Sequence, residues 1–191
     1  MLNFILLLYP PYVGIPRRYA VDSWEIVRTP NHFCDNLTVM LISVLLKNIA
    51  TLGFVGYLPI APGTFGTFAA LLFFAFLKPS IPVHVLLVIL ITALGIIASS
   101  RAEKILNEKD SSHIVIDEFA GYALSLLLLP HTLSYLVVSF LLFRIFDILK
   151  PLPIRWVERT IPGGFGIVAD DLVAGVYTNL VMHAWILLTG N

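Results

Sequence analysis

The sequence predicts an all-α membrane protein, a compact helical domain whose hairpins bring polar loops together on one face. Composition is the first reason: 58% of the 191 residues are apolar, 13% are charged and mean hydropathy is +0.90, far from the values of a soluble domain. The second reason is that charge is gathered between long uncharged segments. The 12 basic and 12 acidic residues balance, so no basic surface indicates a nucleic-acid partner.

The first 39 residues differ from the rest. Their short apolar run ends at Pro10 and Pro11, has no basic residue before it and no small-residue cleavage site after it, so it does not fit a secretory signal. The run is also too short to span about 30 Å of hydrocarbon. Two interpretations stay open: a peripheral, partly disordered extension, or upstream sequence before a working start at Met40. We therefore place the domain at residues 40–191.

Apolar segments follow one another from Met40 onward. The first ends in the proline- and glycine-rich stretch 59–67, which stops a helix. Residues 65–77 and 83–100 are uncharged and are separated by a break at 78–82. Each arm is shorter than the roughly 20 residues of a spanning helix unless it borrows from the break. A helical hairpin bent at 78–82 and two simple spans both fit.

The polar segment 101–118 comes next and ends on two adjacent carboxylates, Asp117 and Glu118. Ser111 and Ser112 precede them, and a serine oxygen can accept hydrogen bonds from the amides of a first helical turn. We therefore expect the serine pair to cap the helix that carries these two acids.

Two further apolar segments complete the chain. Residues 119–143 are broken at 130–131, so each arm is about 18 Å long and the hairpin can enter the membrane without crossing it. Residues 172–189 form the last predicted helix, with Asp170 or Asp171 at its N-terminus, where the helix dipole favours negative charge.

Basic residues mark the side on which the polar segments lie. They occur in two groups: Arg101, Lys104 and Lys109, then Arg144, Lys150, Arg155 and Arg159. The positive-inside rule places both groups on the cytoplasmic side. The hairpins then return their polar ends to this face, where four polar elements meet.

Residues 143–175 gather charge that the neighbouring sequence lacks. Arg144, Asp147 and Lys150 recur at i, i+3 and i+6, which puts a cation, an anion and a cation along one helical face. Ionisable groups near hydrocarbon are costly, so they usually face a protein interior or a water-filled site. We interpret this stretch as a functional centre; the alternative is a solvated loop between two membrane helices.

Five carboxylates are the candidate catalytic residues: Asp117, Glu118, Asp147, Asp170 and Asp171. Hard oxygen ligands with few soft ligands nearby suit Mg²⁺ rather than zinc. The two adjacent pairs repel unless a cation neutralises them, so the candidate metal ligands are Asp117, Glu118, Asp170 and Asp171. The alternative for each acid is a helix cap or an ion pair, and we prefer this for Glu158, with Arg155 or Arg159 as its partner.

Two glycine-rich turns, at 62–67 and 163–167, can present backbone amides to an anion. Close helix packing is the alternative role of such small residues. Next to five acids and two cations, a phosphate is the simpler ligand. The candidate phosphate-binding residues are Thr64, Gly66, Thr67, Arg144, Lys150, Gly163 and Gly164.

Two phosphatase chemistries are excluded by the sequence. No cysteine lies five residues before an arginine, so a cysteinyl-phosphate mechanism has no nucleophile, and no Asp-x-Asp occurs for an aspartyl-phosphate loop. The remaining route is a water molecule activated by Mg²⁺ and a carboxylate.

These segments resemble a known family. APGTFGT at 61–67, IDEFAG at 116–121, FRIFDILKPLPIRWVER at 143–159 and GGFGIVADDLVAG at 163–175 are similar to the motif blocks of phosphatidylglycerophosphatase A. The resemblance runs from about residue 45 to about residue 185 and leaves out the first 39 residues.

The resemblance implies an all-helical, Mg²⁺-dependent phosphoric monoester hydrolase of phospholipid biosynthesis. It would convert phosphatidylglycerophosphate to phosphatidylglycerol and phosphate at the bacterial inner membrane. The family's acidic positions correspond to the five carboxylates, and its basic positions to Arg144 and Lys150. A small transporter or channel with a carboxylate-lined ion path is the alternative, although its charges would lie deep in the spans rather than at their ends.

Overall fold

A computed structural model describes residues 30–109 and 111–189. In these residues the secondary structure is helical and contains no β-strand, which confirms the all-α prediction. A short 3₁₀-helix lies at Val55–Tyr57. The α-helices are α1 (Pro30–Ala50), α2 (Pro62–Leu77), α3 (Ile81–Leu106), α4 (Ile116–Ser125), α5 (Leu133–Leu149), α6 (Ile154–Thr160) and α7 (Gly163–Thr189).

The chain divides into two units, residues 1–42 and 43–191. In the first unit the described residues, 30–42, belong to helix α1. Most of the predicted 1–39 extension lies outside the described residues.

Helices α3 and α7 are long and apolar enough to cross a membrane. They contain 26 and 27 residues, and only 22% of the apolar window of each is buried. The core helix of a soluble protein would be mostly buried, so these exposed apolar surfaces agree with the membrane protein that composition predicts.

The prediction that the second arm of the first hairpin ends near Ser100 was wrong. Helix α3 continues through the first polar residues to Leu106 because no helix breaker occurs before Asn107, which takes the left-handed conformation (φ 53°) and ends the helix. The predicted break before α3 is confirmed: α2 ends where Lys78 adopts the left-handed conformation (φ 42°).

Helix α4 is shorter than its neighbours α3 and α5, which contain 26 and 17 residues. Its 10 residues rise about 15 Å, and the predicted break follows it, since α5 begins at Leu133. Two buried or part-buried polar side chains satisfy carbonyls at its C-terminal end. His84 donates from Nε2 to the Ala123 carbonyl (2.9 Å), and Asn179 donates to the carbonyls of Ser125 (3.0 Å) and Leu127 (2.8 Å). The helix can therefore end among apolar side chains without unpaired carbonyl groups.

Glycines let α4 and α7 approach until their backbones touch. A methyl group at Gly175 would overlap the carbonyl oxygen of Gly121, and one at Gly121 would overlap the carbonyl of Asp171. Around this crossing the largest buried side chains are apolar or aromatic, among them Phe74, Tyr122 and Phe143. The crossing therefore fixes the start of α4 against the early turns of α7.

Two predicted helix starts were wrong. Helix α7 begins at Gly163, so Asp170 and Asp171 lie about two turns inside it rather than at its N-terminus. The residue before α4 is Val115, and no side chain caps that helix. Ser111 instead donates a hydrogen bond to Glu108 (2.7 Å), because an intervening turn and Ile114 separate it from the helix.

Candidate active site

One cavity of about 320 Å³ collects most of the predicted polar residues. The cavity is lined by residues from the start of α2, the loop before α4, the first turn of α4, the end of α5 and the first turns of α7. The lining residues are Ala61, Pro62, Gly63, Ser111, Ser112, Ile114, Asp117, Glu118, Arg144, Asp147, Lys150, Ile167, Asp170 and Asp171.

Three carboxylates form the centre of this cavity. Asp117 and Glu118 lie in the first turn of α4, and Asp171 reaches them from α7, so that one oxygen from each lies within 4.8 Å of the others. The positive end of the α4 dipole favours the first two acids at this position. The crossing of α4 and α7 at Gly121 and Gly175 brings the third acid close.

Two of these acids each have one buried oxygen without a hydrogen-bond partner. Asp117 Oδ1 and Glu118 Oε2 are buried and accept no hydrogen bond. Burial raises the pKa of Asp117 well above its ordinary value, and the charge of Glu118 raises it further. Burial also raises the pKa of Glu118, although a hydrogen bond with Asp117 and the charge of Arg144 oppose the effect. Two unpaired oxygens and a third carboxylate within reach, that of Asp171, fit a hard divalent cation, which would displace the protons.

Arg144 lies beside these acids and contacts a fourth carboxylate, Asp147. Its Nη1 donates to Asp147 Oδ2 at 2.6 Å and lies 4.0 Å from Glu118 Oε1, with about 15% of each side chain exposed. Arg144 and Asp147 therefore share one helical face as predicted, and Asp147 forms the ion pair that was the alternative to a catalytic role for it. Nε of Arg144 is buried without a partner, so the guanidinium retains a donor for a further acceptor.

Gly63 makes room for this arrangement and was not among the predicted site residues. A methyl group there would overlap Glu118 Oε1 and lie 3.4 Å from Arg144 Nη1. The signal in the sequence was the glycine-rich turn itself, but it did not tell which glycine faces the site. Ser111 and Ser112 were also missed as lining residues, because they were assigned to the helix cap.

Lys150 also lines the cavity, six residues beyond Arg144 at the end of α5. It ends α5 in the left-handed conformation (φ 43°), and its Nζ donates to Asp170 Oδ2 (2.8 Å) and to Glu158 Oε1 (2.9 Å). Burial alone would lower the pKa of Lys150, but the two carboxylates outweigh it and the pKa is raised, so the ammonium stays charged. Glu158 therefore pairs with Lys150, and the expected pairing with Arg155 or Arg159 was wrong.

Asp170 is directed toward Lys150, whereas the three-carboxylate group consists of Asp117, Glu118 and Asp171. The other oxygen of Asp170 accepts a hydrogen bond from the Asp171 amide (3.1 Å). Its contacts place it between Asp171 of the three-carboxylate group and Lys150.

The remaining predicted phosphate-binding residues, Thr64, Gly66, Thr67, Gly163 and Gly164, do not line the cavity. Gly66 packs against Val115, and Gly164 packs against the backbone of α3. The Thr67 hydroxyl donates to the Gly63 carbonyl within α2 (2.9 Å). For these glycines the contacts are those of close helix packing.

The sequence matches a family model described as Phosphatidylglycerophosphatase A over residues 48–186. The chain belongs to this family. All four of the motif blocks that resemble it contribute to the cavity: Gly63 comes from the first, Asp117 from the second, Arg144 from the third and Asp171 from the fourth.

Curated relatives from three bacteria are similar to the chain. Phosphatidylglycerophosphatase A of Escherichia coli K12 is 37% identical over 131 residues, 67% of this chain and 76% of the relative. The Haemophilus influenzae protein of the same name is 35% identical over 127 residues, 65% of this chain and 78% of the relative. A Bacteroides thetaiotaomicron protein with the provisional name phosphatidylinositol-3-phosphatase is 38% identical over 136 residues, which are 66% of this chain and 84% of the relative. No solved structure matches the chain.

Proposed function

We propose that this protein hydrolyses the phosphate monoester of phosphatidylglycerophosphate to give phosphatidylglycerol and inorganic phosphate. The observation that carries the proposal is the group of Asp117, Glu118 and Asp171 in one cavity with two cations, Arg144 and Lys150, in a member of this family. Neither the family nor the relatives point to the transporter or channel alternative.

The three-carboxylate group would hold the metal. Its oxygen ligands suit Mg²⁺, which typically takes one or two carboxylates and completes its shell with water and substrate phosphate. When bound, such an ion supplies a Lewis acid for the phosphoryl group and lowers the pKa of a bound water molecule. The buried, unpartnered oxygens of Asp117 and Glu118 support this assignment.

Other residues of the cavity orient and bind the phosphate. Asp147 holds the Arg144 guanidinium through a 2.6 Å hydrogen bond, which leaves the buried Nε of Arg144 to donate to a phosphate oxygen. Asp170 holds Lys150 in the same way. Two cations that line the same cavity can together neutralise a phosphate monoester.

The cavity would face the cytoplasm from a multi-pass protein of the bacterial inner membrane. Basic residues Arg101 and Lys104, on the polar end of α3, and Arg155 and Arg159, on α6, support this orientation. Substrate would then reach the acids from the lipid layer in which the apolar surfaces of α3 and α7 lie.

The test is phosphate release from phosphatidylglycerophosphate by purified protein, with and without Mg²⁺. Asp117→Asn and Asp171→Asn should each lower turnover by at least about 10²-fold, whereas Glu103→Gln on α3, outside the cavity wall, should not. Phosphatidylinositol 3-phosphate is assayed in parallel, because one relative carries the name of a phosphatase for that lipid. Normal turnover of both Asp variants at saturating Mg²⁺ would contradict the proposal.

A further inference from the structure

The substrate proposed above carries two phosphates, and the cavity accounts for one of them. The monoester that is cleaved fits among the acids, Arg144 and Lys150. The phosphodiester that joins the head-group glycerol to the diacylglycerol must lie a few atoms away, toward the lipid. A second anion requires a second cation outside the cavity, next to an apolar surface.

The segment Leu149–Trp156, here called the α5–α6 corner, offers such a place. Arg155 donates from Nη2 to the Leu149 carbonyl at 3.4 Å, and Leu149 directly precedes Lys150, whose side chain lines the cavity. The guanidinium therefore lies beside the rim of the site rather than in it.

The charge of Arg155 is not compensated. Among the described residues no carboxylate lies within 4.0 Å of it, whereas Arg144 and Lys150 each pair with two acids. Its only hydrogen bond in the described structure is the long one to Leu149. The remaining N–H groups can bind a phosphate diester in the two-pronged geometry that guanidinium favours.

The same short segment also exposes apolar side chains. Leu149 is 64% exposed, Leu152 is 77% exposed and Trp156 is 60% exposed. Tryptophan is enriched at the boundary of a membrane, where its ring contacts both head groups and hydrocarbon. An exposed arginine among exposed apolar residues is complementary to a phospholipid, with an anionic diester next to acyl chains.

The corner is held in place before any lipid binds. Ile154 is buried in the core (1% exposed), and the Tyr177 hydroxyl on α7 donates to the Leu152 carbonyl at 2.9 Å. Lys150 also bonds to Glu158 of α6. Preorganisation of this kind lowers the cost of binding.

We propose that the α5–α6 corner binds the phosphodiester of the lipid substrate, with Arg155 as its ligand and Leu152 and Trp156 against the first acyl methylenes. This inference rests on the proposed function, since the lipid monoester is the substrate that contains both phosphates. It assigns Arg155 to substrate binding and not to the chemical step.

The test compares Arg155→Gln with Arg159→Gln, which removes the same charge from the same helix one turn further along. In neutral detergent micelles, Arg155→Gln should raise KM for phosphatidylglycerophosphate about tenfold and leave kcat within about twofold. Arg159→Gln should change neither. An unchanged KM, a loss confined to kcat, or an equal effect of both substitutions would overturn the assignment.

Binding of phosphatidylglycerol, which has the diester and no monoester, gives a second readout that does not depend on turnover. In the same micelles Arg155→Gln should weaken its binding about tenfold relative to wild type and Arg159→Gln. Equal binding by all three proteins would refute the inference. If wild-type protein binds phosphatidylglycerol in an Arg155-dependent way but does not hydrolyse phosphatidylglycerophosphate, the proposed function fails and the lipid site stands.

Discussion

Substitution of Gly175, which does not line the cavity, should displace the catalytic carboxylates from one another. The glycine lies on α7 one turn beyond Asp171, and a methyl group there would overlap the carbonyl oxygen of Gly121 on α4. Gly175→Ala therefore has to push the two helices apart at the crossing that brings Asp117 to Asp171. The alanine itself does not weaken α7, because it favours a helix by about 1 kcal/mol over glycine.

The size of the effect follows from this overlap. Heavy atoms reach favourable contact at roughly 3.5 Å, and the added methyl group falls short of that separation from the Gly121 oxygen by about 1 Å. A displacement of about 1 Å between reacting groups can cost about 10²-fold in rate, or roughly 2.7 kcal/mol of transition-state stabilisation. The same displacement should weaken metal binding, since the carboxylates that share the ion separate.

The assay is the initial rate of phosphate release from phosphatidylglycerophosphate in micelles, together with calorimetric titration of Mg²⁺ without substrate. Gly95→Ala is the matched control: Gly95 is buried on α3, and a methyl group there meets Val168 at 3.5 Å and Ile116 at 3.7 Å, which is ordinary contact. We expect the control to stay within about twofold of wild type. Wild-type kcat/KM and metal affinity in Gly175→Ala, or an equal loss in Gly95→Ala, would refute the reasoning.

Three further predictions use other parts of the chain. Arg144→Lys keeps the charge but loses the planar guanidinium that Asp147 holds. The resulting decrease in kcat/KM should correspond to about 1–3 kcal/mol of lost transition-state stabilisation. Loss of Mg²⁺ affinity with unchanged substrate kinetics would instead mean that Arg144 positions the carboxylates. Asn179→Leu removes the hydrogen bonds to the Ser125 and Leu127 carbonyls, and the Tm in detergent should fall by about 4–8 °C. An unchanged Tm would contradict the capping role. A chain that begins at Met40 should insert into membranes and hydrolyse substrate like the full chain, because the family match begins at residue 48; loss of either property would refute this.

The arrangement of helices was largely predictable because membrane helices leave strong signals. The breaks at 78–82 and 130–131 correctly indicated that separate helices lie on either side of each, although α4 ends at Ser125, five residues before the second break. Helix lengths were less predictable. A helix can continue from an apolar segment into the polar segment that follows it when no residue that favours the left-handed conformation intervenes. Helix α3 continues in this way through Arg101. The same effect moved the start of α7 back to Gly163.

The composition of the site was predictable, but its pairings were not. Charges at the ends of apolar runs identified the acids and the two cations, whereas Lys150 and Asp170 are 20 positions apart and meet only through the fold. Glycine was the most ambiguous residue. Gly63 opens the site and Gly164 packs two helices together, and both stand in similar glycine-rich turns, so the sequence pattern alone could not distinguish anion binding from packing.

The charge balance of the cavity explains why a cation and a phosphate belong there together. Five carboxylates line the wall and two cations accompany them, so the fully ionised site has an excess of three negative charges. A phosphate monoester, which carries up to two more, would be repelled from such a site. One divalent cation in the group of Asp117, Glu118 and Asp171 would remove most of that excess, and Arg144 and Lys150 would then be available to the phosphate. On the proposed function, metal binding should therefore precede or accompany substrate binding, with the unpaired oxygens of Asp117 and Glu118 among the metal's ligands.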